Sequence, residues 1–348
     1  MIISTPDDLH YAPCIKALEM GYDVLLEKPI APTEKECLNI LNLANKTGRI
    51  VAVCHVLRYA PYFIKLREMV QSGSIGKLIS IQHLEPIEHI HMSHSYVRGN
   101  WHNSKKTTPI ILAKSCHDLD ILRWIIDKPC KSIAAFGSLK WFKQENAPIG
   151  STNRCTDGCA VEKECPYSAL KVYGKPGGWS SVFDFPDDKA KHKEYLLEQL
   201  KTTNYGRCVY RMENDQPDHY VTSMEFEEEI TANFSMEAFT SYHGRRTRIM
   251  GSHGDIVGDM KEFIHTDFLT GKINKWDISL DQEKNSKYQL SGHGGGDWGL
   301  VTDWIKAVKN QDTSLLTSTI DASVESHIMG FMAEKSRETN QTIPIHLK

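Results

Sequence analysis

The chain has 348 residues, enough for two domains and a substantial core. With 41 basic and 44 acidic residues its formal charge is −3, and 40% of it is hydrophobic, which argues against a general nucleic-acid or anionic-membrane binder. No apolar run approaches the ~20 residues of a bilayer span, no basic-then-apolar leader opens the chain, and nine scattered cysteines suit a reducing compartment, so a cytoplasmic protein is expected.

Ile2-Ile3-Ser4-Thr5-Pro6 reads as the end of a buried strand followed by a loop, and a helix over 14–20 stops at Gly21. A strand over 22–27 then runs into Glu27-Lys28-Pro29. Pro29 removes a backbone donor and biases Lys28 toward extended backbone, so the strand ends there with the lysine held facing one way. A helix opened by Pro32-Thr33-Glu34 runs to about residue 46 with Gly48 as its stop, and a strand over 49–54 follows. This alternation predicts parallel βαβ units. Right-handed crossovers bring Thr5, Lys28 and residues 55–58 to one sheet edge, where open α/β sheets bind ligands. The strand, glycine-rich turn and helix that normally open a dinucleotide fold do not precede Ile2.

Arg58-Tyr59-Ala60-Pro61 leads into a helix over 62–72, and a strand follows over 78–84. Residues 88–102, with His89, His91, His94, Tyr96, Arg98, Trp101 and His102, read as a loop or edge strand lining a pocket. Apolar positions three and four apart make 116–126 a helix that carries His117 near its start and ends before Pro129. After a strand over 131–141, residues 144–215 read as an irregular insertion rich in Cys, Gly, Pro and Asp. Strands are expected over 220–226, 229–236, 246–250 and 255–257, with Glu227-Glu228 as a hairpin turn. A glycine-rich turn over 292–296, capped by Asp297, precedes a helix over 298–309, and 318–340 is a final helix. The segments Gly177-Gly178 and 292–296 lack the preceding strand of a phosphate-binding loop.

Inside the insertion, Cys155, Cys159 and Cys165 are joined by the later Cys208 as a candidate structural zinc set, with His219 or His243 as substitutes for Cys208. Such a site would order a loop-rich segment with few apolar residues. The spacings do not match common ferredoxin runs, and free thiols are the alternative.

Thr5-Pro6-Asp7 with His10, Glu27-Lys28-Pro29, Arg58-Tyr59 with Pro61, Ile75-Gly76, His117-Asp118-Leu119-Asp120 and Glu325-Ser326-His327 fall in a recognisable order. The set resembles the glucose–fructose oxidoreductase / inositol dehydrogenase / MocA (Gfo/Idh/MocA) family along essentially the whole chain. The resemblance implies an α/β protein: an incomplete Rossmann-type parallel sheet over 1–75, then an α+β domain over 76–348 with a large open, mostly antiparallel sheet. It implies an NAD- or NADP-dependent oxidoreductase acting on a sugar, polyol or related hydroxy compound, and a homo-oligomer formed through that sheet. Lys28 and His117 match the family's catalytic positions, and Thr5, Pro6, His10, Glu27, Lys28 and Arg58 match positions near the cofactor. Tyr96, Arg98 and Trp101 are expected to bind substrate with His117, the aromatic rings stacking on a sugar face. Many members carry an aspartate four residues before this histidine. Here that position is Ala113, and the adjacent Lys114 is expected to replace the acid in substrate binding or proton relay, which would suit an anionic substrate. The missing glycine-rich turn implies a start inside the cofactor domain and weakened dinucleotide affinity. Two further readings are an NAD-using glycosidase of the same family and a cofactor-free remnant acting as a binding protein.

Overall fold

Val24, Leu25 and Leu26 are consecutive, apolar and buried, so the strand they form must be covered on both faces. The computed structural model, which describes residues 1–174, 178–279 and 293–346, shows the cover. Strands β1 (Ile2–Ile3), β2 (Val24–Leu26) and β3 (Val51–Val53) form a parallel sheet in that order. The longer helices are α1 (Tyr11–Glu19), α2 (Glu34–Thr47), α3 (Pro61–Gln71), α4 (Cys116–Ile126), α5 (His192–Thr202), α6 (Gly296–Asn310) and α7 (Ile320–Thr339). Val24 and Leu26 pack into a core with Leu18 of α1 and Ile40 of α2, whereas Leu25 and Ala52 pack with Leu300 and Ala307 of α6.

Local sequence explains these elements. Thr33 caps α2 by accepting from the Glu36 amide at 3.3 Å and donating to Glu36 Oε2 at 2.8 Å. Gly48, at φ 64°, closes that helix in the left-handed conformation. Gly296 lets α6 approach the loop after β3, where a Cβ would stand 2.2 Å from the Val56 carbonyl oxygen. The segment before α7 returns to the parallel sheet, with the Val53 amide donating to Ser318 O at 3.1 Å.

The second sheet runs β11-β10-β9-β8-β4-β7-β6-β5-β12. Its strands are β4 (Leu78–Pro86), β5 (Cys130–Ser138), β6 (His219–Phe226), β7 (Thr231–Glu237), β8 (Arg246–Gly251), β9 (Gly254–Gly258), β10 (Glu262–Asp267), β11 (Ile273–Asp277) and β12 (Ile343–Pro344). Among the described residues of this sheet, β4 and β7 pair in parallel and the other neighbours pair antiparallel. Helices α4 and α7 pack together over one face. On the other face Ile79, Phe136, Val221, Val257 and Ile264 are exposed, alternating with buried partners such as Ala135, Tyr220 and Ile256. The expected mixed α/β architecture is therefore present, with a small parallel sheet followed by a large, mostly antiparallel one.

Several local expectations need correction. Residues 88–102 are not a strand: Glu88 accepts from the amides of Ile90 and His91 at 3.0 Å, which starts a helical turn at His89–His91 that continues as a π-helix over Met92–Arg98. Strands β10 and β11 lie outside the sequence-based expectation: β11 buries none of its residues and shows no alternation, and β10 alternates only over Phe263, Ile264 and His265. Gly295 rather than Asp297 occupies the start of α6, and Asp297 Oδ1 instead lies 2.9 Å from His293 Nδ1. Gly292 and Gly177 lie outside the described residues. The insertion does build a core of its own, from Ala169, Tyr173, Phe183, Leu196 and Leu200.

Candidate active site

The ends of β1 and β2 are tied together by His10, whose buried ring sits 2.8 Å from both Thr5 O and Pro29 O. Thr5 and Pro6 are exposed beside it, and Glu27 and Lys28 are half-buried. Glu27 Oε2 accepts from the Lys28 amide at 3.2 Å. The Lys28 ammonium reaches across to the second domain's residues and donates to Ala113 O at 3.1 Å. His117, at the start of α4, is buried, and its Nδ1 has no partner. Burial, followed by the charges of Lys28, His55, Arg245 and His293, drives its pKa well below the usual histidine value. A histidine so placed is neutral at pH 7 and keeps one ring nitrogen as an acceptor.

Buried ion pairs support these groups. Asp118 faces His83 at 3.1 Å and accepts from Arg245 at 2.5 and 3.3 Å. Burial alone would raise its carboxyl, but Arg245 and His83 hold it at about 2. On the neighbouring face of α4, Asp120 takes a bidentate pair from Arg58 at 2.7 Å and a bond from Ser326 at 3.2 Å. Burial opposes ionisation there too, yet Arg58 and His55 keep its pKa low. Arg58 also donates to Thr317 O, so its guanidinium is engaged inside the protein rather than offered to a ligand. Lys114 is likewise held, 3.2 Å from Glu85, and Glu85 also faces Arg245 at 3.0 Å.

The remaining candidates separate from this centre. Tyr96 is buried and packs between His91 and Trp101, with ring centroids 6.0 Å from each. Arg98 points into the insertion, donating to Arg207 O, Tyr167 O and Cys155 Sγ. Neither offers a free face to a substrate. His91 does lie toward the centre: burial and then Lys114 lower its pKa to about 3, and its ring is 4.9 Å from Trp179 of the insertion. His94 belongs to the insertion's packing, bonded to Tyr173 and stacked on Tyr205.

Cys155, Cys159, Cys165 and Cys208 line one narrow void of about 20 Å³. Even so, among the described residues no group of three or more His, Cys, Asp or Glu is arranged to hold a metal ion, so the expected zinc site is not supported. The proposed substitutes for Cys208 are occupied elsewhere, His219 beside Asp218 and His243 beside Glu88.

Sequence reasoning singled out Lys28 and His117 and brought residues 55–58 to the edge that holds Lys28, but it gave no sign of Arg245 and His293 near His117 or of Glu85 beside Arg245. The strand-end position of His55 was the one available signal. Arg245 and Glu85 lie on unrelated segments whose meeting depends on the pairing of β4 with β8.

Comparison with known proteins bears on this geometry. YteT of Bacillus subtilis (strain 168), a protein named as an oxidoreductase, is 26% identical over 315 residues, covering 87% of this chain and 71% of YteT. An inositol 2-dehydrogenase/D-chiro-inositol 3-dehydrogenase of Lactiplantibacillus plantarum (strain ATCC BAA-793 / NCIMB 8826 / WCFS1) is 24% identical over 150 residues, 43% of this chain and 40% of that protein. Two solved structures share the fold over 99% of this chain, both with a TM-score of 0.70. One is an oxidoreductase domain protein from Kribbella flavida, 17% identical and covered over 80% of its length. The other is a levoglucosan dehydrogenase in complex with NADH and levoglucosan, 13% identical and covered over 79%. Residues 1–55 match the oxidoreductase family's NAD-binding Rossmann fold and residues 67–345 its C-terminal alpha/beta domain, so the chain belongs to the Gfo/Idh/MocA oxidoreductase family.

Proposed function

We propose that the protein is an NAD(P)-dependent oxidoreductase of a neutral sugar or polyol, with Lys28 and His117 as its catalytic pair. One observation carries this reading. Two residues 89 positions apart in the sequence are brought to one place, with Lys28 bonded to Ala113 O and its charge the first to act on His117 after burial. The residues present fit a nicotinamide: the strand ends leave Thr5 and Pro6 exposed next to His10, and the Lys28 ammonium reaches the Ala113 carbonyl just ahead of the helix that carries His117. Thr5, Pro6, His10 and Glu27 would form the wall that holds it. When bound, it supplies the hydride acceptor or donor. Lys28 donates to the substrate oxygen and stabilises developing negative charge there. His117 accepts the hydroxyl proton.

Lys114 is assigned to the pocket wall. Its pairing with Glu85 neutralises it, so the second cation that would favour an anionic substrate is already matched. His91 and Trp179 are the rings we place nearest the substrate, in preference to the buried Tyr96. We place the domain boundary near residue 75. The exposed apolar face of the large sheet is proposed as a contact between copies of the chain.

The test is NAD(P)H formation with a panel of sugars and polyols, comparing wild type with Lys28→Ala and His117→Ala. Turnover by wild type that both variants abolish supports the assignment. Wild-type rates in either variant remove that residue from the mechanism.

A further inference from the structure

We propose that His55 is a positioning residue that relays the proton from His117 toward Asp120. The inference rests on the assignment of His117 above and adds to it a route for the charge. His55 follows β3 directly, and its ring is fully buried with neither nitrogen hydrogen-bonded. Its ring meets His117 edge-on, with centroids 5.8 Å apart and planes at 84°. The Nδ1 of His117 is also buried without a partner. Three ring nitrogens without a hydrogen-bond partner therefore lie on two facing rings, whereas buried polar groups are ordinarily satisfied. The adjacent His327 shows the ordinary case: its Nε2 accepts from the Ile30 amide at 3.0 Å and its Nδ1 lies 2.8 Å from Ser323 O.

The surrounding charges give the relay its direction. Around His117 stand the Lys28 ammonium and the Arg245 guanidinium, with the rings of His293 and His55 on its other sides. The groups facing His55 are Asp120, His327, Arg58 and Lys28, with the Asp120 carboxylate 3.7 Å from its Nδ1. Moving the positive charge from His117 to His55 places it 3.7 Å from the Asp120 carboxylate.

The step balances. Oxidation of the alcohol would break its C–H bond, the hydride passing to the nicotinamide held there, and its O–H bond, whose electron pair forms the carbonyl while the proton bonds to His117 Nε2. The Nδ1–H bond of His117 then breaks and its proton bonds to a His55 nitrogen. His117 is left neutral in its other tautomer, and the imidazolium rests on His55 beside Asp120. The reverse transfer returns the proton through His117 once product has left.

The experiment uses the full chain labelled with ¹⁵N-histidine, with the His117 resonances assigned by their loss in His117→Gln. The expected result is that His55→Phe changes the tautomer ratio read from the His117 nitrogen shifts, and that His117→Gln reciprocally moves the His55 resonances. Unchanged His117 shifts in folded His55→Phe would overturn the relay. These readings need no substrate. If His55→Phe does not fold, the His117→Gln spectrum decides, and unmoved His55 resonances overturn the proposal. With myo-inositol and NAD as the activity probe, His55→Phe is expected to lower kcat about 10–100-fold with KM within about twofold. The proton inventory in mixed H₂O/D₂O should be curved for wild type and linear for the variant. Wild-type kcat in His55→Phe with an inactive His117→Gln sinks the relay alone, whereas an active His117→Gln sinks the assignment of His117 itself.

Discussion

Lys28 is held by three things that act at different ranges: the buried strand that delivers it, the proline that follows it, and the Ala113 carbonyl it reaches. The first two are local, and the sequence alone is enough to single the residue out. The third depends on where α4 and the segment before it pack, and no local pattern reports that. The same difference separates His117, whose helix start is plain from its periodicity, from Arg245 and Glu85, whose place beside it follows from sheet pairing. At this scale Lys28→Ala is expected to lower turnover by about 10²–10⁴-fold. A melting temperature within about 2 °C of wild type should accompany it, because the side chain is half-buried and makes one carbonyl contact. Steady-state rates beside thermal melts check both parts. A variant that loses activity only by unfolding would place Lys28 in the scaffold instead.

Among the elements, the insertion over 144–215 departs furthest from what its composition suggests. Its many Gly, Pro and Cys residues point to a segment in need of a metal, yet Tyr173, Phe183, Leu196 and Leu200 are spaced so that helices can gather them into a satellite core. Leu196 and Leu200 stand four apart on α5, but Tyr173 and Phe183 lie at or beside short turns with no helical or strand period that would join them to it. Leu200→Ala, at a fully buried position of α5, should cost about 2–5 kcal/mol measured by urea denaturation. Treatment with EDTA should leave the melting temperature of wild type within about 1 °C. A large drop on chelation would show that the cysteines hold a metal after all. In the parallel unit, Gly296→Ala should destabilise by about 1–3 kcal/mol, since its Cβ would collide with backbone rather than a movable side chain. A neutral result would mean that α6 can shift off the loop after β3.

For the whole molecule, the two sheets were legible as a change from βαβ alternation to a run of strands. The return of α6 and α7 onto the first sheet was not, because the apolar faces of those helices do not say which layer they cover. That return buries His55 and His327 between the domains' elements, with consequences for pH. Burial lowers His55 to about 3 and His327 to about 4, both below the unfolded value of ~6.5. A histidine whose folded pKa is depressed binds its proton more readily when unfolded. Its contribution to stability is therefore present above about pH 6.5 and falls as pH drops, by up to about 1.4 kcal/mol per pH unit for each residue. Melting temperatures at pH 7.5, 6 and 5 should fall by several degrees across the series, and a constant or rising value would contradict this. The exposed face of the large sheet predicts assembly. Phe136 and Val221 are cross-strand neighbours there, and Phe136→Glu should reduce the mass seen by light scattering toward the 39.5 kDa of one chain. A wild-type protein already at that mass would contradict the proposed contact.

The most direct test of the central claim, that Lys28 and His117 serve a bound nicotinamide, is a titration of the full chain with NADH and with NADPH followed by fluorescence. Saturable binding of one or both, weakened in Lys28→Ala, is the predicted result. A wild-type chain that shows no saturation with either dinucleotide, or that binds as tightly without the lysine as with it, would contradict the claim.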